Sequence, residues 1–185
     1  MESAIPRLEM DQMDPRLRQS LAGRVARLGY LGEFFKCAAL QPDSLLAFMQ
    51  LTDALKQALP ERLTELIALT VAAANGNEYE RNQHERLCER LGYARSWTAA
   101  ATGRGSGPSP LSPTEQAIQR LALSALRTSG RGLERELTDV VDAVGPAQGM
   151  AVLIAIGRNW AHALVANTLG LEPPVPSIFA EQSSA

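Results

Sequence analysis

The chain has 185 residues, 45% of them hydrophobic and 21% charged, close to the averages for a soluble globular protein. A single domain of this length buries roughly 70% of the surface its unfolded form exposes, so no disulfide or metal staple is required. Eighteen basic against twenty acidic side chains leave a formal charge of −2. No long basic run tracks phosphates, which argues against a nucleic-acid partner.

Aromatic residues are only 5%, so the core is built mainly from Leu, Ala, Val and Ile. The longest purely apolar stretch, residues 150–156, is far too short to cross a bilayer, and the N-terminus MESAIPRLEMDQMD lacks a basic segment followed by a hydrophobic one. The expectation is a cytoplasmic protein without a membrane partner. Cys37 and Cys88 lie far apart and form neither a CxxC pair nor a ligand cluster, as free thiols in a reducing compartment would.

After a short polar lead, PRLRQSLAGRVARLGYLGEFFKC has helical Leu and Val spacing interrupted by Gly23, Gly29 and Gly32, which predicts one or two short helices. Pro42 and Asp43 open a clearer helix, with Leu45, Leu46, Met49, Thr52, Ala54 and Leu55 at three- and four-residue steps, ending before Pro60. From Pro60, ERLTELIALTVAAA carries no charge after Glu65 until Glu78, so it belongs in the core or in an oligomer interface. Asn75-Gly76 stops it. Asn77, with Glu80 three residues on, starts the next helix, which runs to about Leu91 with Gly92 as a left-handed cap.

Residues 103–113, GRGSGPSPLSP, are too rich in Gly, Ser and Pro for a regular element and are expected to be a flexible connection. Ser112, Pro113 and Glu115 form a capping-box start for a helix to roughly Arg127. LERELTDVVDAV predicts another helix, stopped at Gly145-Pro146, and a last one extends to Gly170. Residues 171–185 are read as an extended tail. No window alternates strictly with β-branched residues, so the expected fold is all-α, a single domain of about six to eight bundled helices.

Glu65, Asn77, Glu80 and His84 form the frame Glu-x11-Asn-x2-Glu-x3-His. With FFKCAALQPDSLLAFMQLTDAL before it, SPTEQAIQRLALSAL after the linker and AVLIAIGRNWAHALVANTLGLEPP at the end, this frame resembles the alkylhydroperoxidase D-like (AhpD-like) and carboxymuconolactone decarboxylase superfamily. Peroxidase members carry cysteines at the places of Asn77 and Glu80. NEYERNQHERLCERLGY is similar to the branch that lacks this pair. The resemblance implies an all-helical fold assembled into trimers or hexamers, with sites near subunit contacts. It also implies that Glu65 stands at the proton-relay carboxylate and His84 at the motif histidine.

From the residues themselves, a buried Glu65 is a competent proton donor or acceptor, although a first-turn Glu can also simply face solvent and complement the helix dipole. Imidazole suits proton transfer at neutral pH, and Glu80 lies one turn before His84, where it can orient or charge the ring. Glu80 has a structural alternative as the reciprocal partner of the Asn77 cap. Tyr79 can donate a hydrogen bond to a carboxylate or oxyanion, or merely wall the core. Arg81 and Arg86 are candidates for holding an anion, and one of Arg158, Trp160 and His162 is expected to line a pocket.

The leading expectation is a homo-oligomeric decarboxylase-like protein that performs cofactor-independent acid/base chemistry on a small organic acid or lactone. Glu65 and His84 would move protons while Glu80 and Tyr79 organise the pocket. A peroxidase-like enzyme would need a thiolate near His84, and only Cys88 fits by spacing. A non-catalytic helical oligomer that binds a ligand or protein is the third possibility. P-loop, GxGxxG, HExxH, CxxC and GxSxG patterns are absent, leaving metal, nicotinamide and serine-hydrolase readings without support.

Overall fold

The computed structural model of the chain describes residues 4–180, so the last five residues of the expected tail lie outside the described residues. After a short 3-10 helix at Met10–Gln12 come α1 (Pro15–Leu28), α2 (Glu33–Ala38), α3 (Pro42–Ala58), α4 (Glu61–Ala74), α5 (Glu78–Arg90), α6 (Arg95–Ala101), α7 (Pro113–Thr128), α8 (Glu134–Val144) and α9 (Pro146–Thr168). Helix α1 runs straight through Gly23 and ends on Gly29 in the left-handed region. The seven-residue α6 had no sequence signal, since Ala94 at its start provides no side-chain cap.

Helix α4 is the centre of the fold. Leu66, Ile67, Leu69 and Val71 are fully buried, and α4 packs against α5, α6, α7 and α9 of its own chain. Each such aliphatic side chain contributes about 1.5–3 kcal/mol by leaving water. Of the two expected settings for α4, core or oligomer interface, the core accounts for its apolar circumference.

Two clusters of buried residues result. One joins α4 to α6, α7, α8 and α9. The other gathers Leu17 and Leu21 of α1, Phe34 of α2 and Met49 of α3 around Tyr79 of α5.

The predicted capping box of α7 is present, with the Glu115 N–H donating to Ser112 Oγ at 3.2 Å and the Ser112 N–H donating to Glu115 Oε2 at 2.7 Å. Glu115 also receives Arg62 Nε at 2.6 Å and Trp97 Nε1 at 3.0 Å, which ties α4 and α6 to the start of α7. Helices α8 and α9 meet closely at Gly149, where a Cβ would lie 2.8 Å from Val141 Cγ2.

The tail straps back over α5. Ser177 Oγ and the Ile178 N–H donate to the fully buried Glu85 Oε2 at 2.5 and 3.1 Å, and Asn82 Nδ2 donates to the Val175 carbonyl at 3.1 Å.

Within residues 134–168, which Gly145 divides into α8 and α9, one 18-residue window is apolar enough to cross a membrane by length and composition. One side of α9, with Val152, Ala155, Ile156 and Ala163, is packed into the core. The opposite side exposes Ala147, Met150, Ile154, Gly157, Ala161 and Leu164 at alternating three- and four-residue steps, a continuous uncharged stripe.

Candidate functional site

A pocket of about 270 Å³ opens where α1, α3, α4, α5 and α9 come together, and Glu65, Tyr79, Glu80 and His84 all line it. Glu65 sits one turn into α4 and is only 2% exposed, so the solvent-facing alternative does not hold. Burying a carboxylate requires a partner. That partner is His84, whose Nδ1 lies 2.6 Å from Glu65 Oε2.

The His84 side chain is 20% exposed, and its Nε2 lies 3.7 Å from Glu80 Oε1. Burial pulls the imidazole's proton affinity down, but the charge and hydrogen bond of Glu65, followed by those of Glu80, outweigh it and push its pKa up to about 9. His84 is therefore an imidazolium at neutral pH, a proton donor held by a carboxylate.

Asn77 caps α5 as expected, its side chain accepting from the Glu80 N–H at 3.2 Å. The reciprocal half of the capping arrangement is absent, because the Glu80 carboxylate turns inward to α9. Its Oε1 accepts from Arg158 Nη1 at 3.0 Å, and its Oε2 lies 3.0 Å from His162 Nδ1. The His162 contact is short but poorly aligned, leaving both atoms without a directed hydrogen bond.

Desolvation alone would raise the Glu80 pKa. The charge of His162, contacts with both histidines and the charge of Arg158 instead hold it well below the ordinary carboxylate range.

Arg158 is itself fixed, with Nε donating to Thr52 Oγ1 at 3.1 Å, Nη1 donating to Asn159 Oδ1 at 2.8 Å, and the guanidinium 4.7 Å from the Phe48 ring centre. His162 stacks on Phe34 with ring centres 4.1 Å apart. Arg158 and His162 are the only ionisable residues of the 23-residue α9. They lie one turn apart, so one helix face delivers both to Glu80. That spacing inside an apolar helix was the available signal for a pair that sequence reasoning had treated only as alternatives with Trp160. Trp160 is instead 38% exposed.

Tyr79 is buried, and its hydroxyl accepts from the Phe34 N–H at 3.2 Å. Burial pushes its pKa up to about 12, so it remains a phenol. A Cβ on Gly32 would lie 2.7 Å from that hydroxyl, so glycine there leaves the space Tyr79 occupies.

Arg86 lines the pocket with Arg24, Lys56 and Arg90, whereas Arg81 pairs with Glu78 at 2.8 Å and lies outside it. Cys88 is fully buried and absent from the pocket wall, and burial, with Glu65 and Glu85 nearby, pushes its thiol pKa up to about 12. Cys37 is buried in the other cluster. Among the described residues no group of three or more His, Cys, Asp and Glu side chains is arranged to hold a metal ion.

Residues 42–102 match the carboxymuconolactone decarboxylase family, a span that includes Glu65, Tyr79, Glu80 and His84 but not Arg158 or His162. The fold is similar to that of an uncharacterised peroxidase-related protein from Ralstonia eutropha JMP134, an alkylhydroperoxidase AhpD core. The TM-score is 0.80 at 19% identity, over 92% of each chain. It is also similar to the debrominase Bmp8, solved as a single-residue variant in complex with 2,3,4-tribromopyrrole, with a TM-score of 0.78 at 16% identity over 93% of this chain and 92% of that one. A peroxidase-related protein from Silicibacter sp. TM1040 gives a TM-score of 0.75 at 17% identity over 95% of both chains. At these identities the likeness is one of fold. No curated protein matches the sequence.

Proposed function

We propose that this chain, a member of the carboxymuconolactone decarboxylase and AhpD-like superfamily whose motif lacks the cysteine pair, performs cofactor-independent acid/base chemistry on a small organic acid or lactone. The observation that carries this reading is the buried Glu65–His84 pair at 2.6 Å on the wall of a pocket that also presents Arg158 and Glu80. Loss of CO₂ from a β-keto acid breaks the bond to the carboxylate carbon and leaves the electron pair as an enolate. Arg158 and the His84 imidazolium supply positive charge for that enolate, and His84 then gives its proton to carbon, to be recharged from solvent. Glu65 keeps the ring oriented and charged. Glu80 and Tyr79 hold the walls, while the cationic lining residues favour an anionic ligand.

Self-association is part of the same proposal, and the bare stripe on α9 supports it. Gly157 and Ala161 would let a second helix approach closely, and the stripe carries no charge to desolvate.

The experiment is to incubate the protein in D₂O with a panel of small β-keto acids and lactones, following CO₂ release and C–H to C–D exchange by NMR. General acid/base catalysis contributes about 10²–10⁴-fold, so Glu65→Gln and His84→Gln should each lower turnover of a responsive compound by at least about 10²-fold. Unchanged turnover in both variants would remove the basis of the proposal.

A further inference from the structure

We propose that His162 is a positioning residue of the same site, acting on His84 through the shared Glu80 carboxylate. The proposal rests on His84 as the proton carrier, but its test requires no turnover. Glu80 bridges the two histidines, with Oε1 3.7 Å from His84 Nε2 and Oε2 3.0 Å from His162 Nδ1. The result is an unbroken line of ionisable groups from Glu65 through His84 and Glu80 to His162, contributed by α4, α5 and α9.

A purely structural account of His162 has to explain why a buried imidazole stacked on Phe34 turns a ring nitrogen to a carboxylate already bonded to Arg158. The stack needs only an aromatic ring. A ring N–H turned to the carboxylate sets the positive end of its dipole against Glu80 Oε2, and how fully Glu80 is compensated determines how much negative charge His84 feels. Removing His162 therefore strengthens the field that holds the proton on His84, whereas removing the Glu80 charge weakens it.

The other groups facing this line are Arg158 on α9 and the Tyr79 phenol on α5. Arg24 on α1, Lys56 on α3, and Arg86 and Arg90 on α5 line the same pocket. None of these is altered in the variants, so they act as a constant background.

The chain has only two histidines, so ¹⁵N ring spectra of the whole protein resolve His84 once His162→Gln has assigned the pair. The readout is the pH midpoint of His84. Glu80→Gln is expected to lower it by at least about one pH unit, and His162→Gln to raise it by about half a pH unit. His162→Phe keeps the stack on Phe34 and removes only the nitrogens, so it should give the same upward shift even if the glutamine variant fails to fold.

A His84 midpoint that does not rise in His162→Phe, or does not fall in Glu80→Gln, overturns the proposal. If these shifts appear in a protein that turns over nothing in the D₂O panel, the coupling stands and the proposed chemistry falls. Turnover without the shifts leaves the chemistry standing and removes the coupling.

Discussion

Replacing His84 with Gln should change the pH dependence of stability in a way that can be worked out from one pair of side chains. An ordinary histidine titrates near 6.5, whereas His84 in the fold titrates at about 9 because Glu65 and Glu80 hold its proton. Below 6.5 both the folded and unfolded forms are protonated, and the whole favourable interaction is present. Between 6.5 and 9 the unfolded chain loses its proton while the native state keeps it, so the contribution declines with rising pH and is gone above 9. At 1.36 kcal/mol per pH unit this amounts to about 3 kcal/mol, and the 20% exposure of the side chain limits solvent screening. Urea unfolding at intervals from pH 6 to pH 10 measures it. Wild type should lose about 3 kcal/mol more than His84→Gln across that range, since groups common to both proteins cancel in the difference. Parallel stability curves would refute the assignment of His84 as a carboxylate-held imidazolium.

Two further expectations concern α9. Arg158→Met takes from the buried Glu80 carboxylate the hydrogen bond and charge of the guanidinium, and breaking one side of such a pair should cost about 3–5 kcal/mol in chemical denaturation at pH 7. A cost below about 1 kcal/mol would mean that Glu80 is compensated without Arg158. Ile154→Glu with Leu164→Glu places two charges on the exposed stripe, at positions 42% and 66% exposed. Light scattering should then show a smaller particle than wild type with an unchanged circular dichroism spectrum, and equal masses would remove that face as the contact.

What could be read from the sequence followed from local chemistry. Pro42, Pro60, Ser112 with Glu115, and Gly145-Pro146 act within a few residues of themselves, and the helices they bound begin and end close to where those signals fall. The inward burial of α4 followed from its uncharged run after Glu65. The frame from Glu65 to His84 was legible because both residues lie on helices that pack against each other, and a fixed spacing becomes a fixed contact.

Glu80 was misjudged in one respect. A carboxylate three residues after Asn77 can reach back to cap its own helix, and nothing local reveals that Arg158 and His162, far along the chain on α9, compete for it more strongly. The strap of the tail onto Glu85 was invisible for the same reason. Ser177 and Glu85 have no shared periodicity, and only the return of the chain after α9 brings them together.

The most direct test of the central claim is the pH profile of turnover for a compound that responds in the D₂O panel. With His84 as proton donor, the rate should hold through neutrality and fall as pH rises through about 9, and in Glu65→Gln the remaining rate should fall at lower pH because the carboxylate that keeps the ring charged is gone. A high-pH limb that stays in place in Glu65→Gln would contradict the assignment of Glu65 and His84 as the proton-carrying pair.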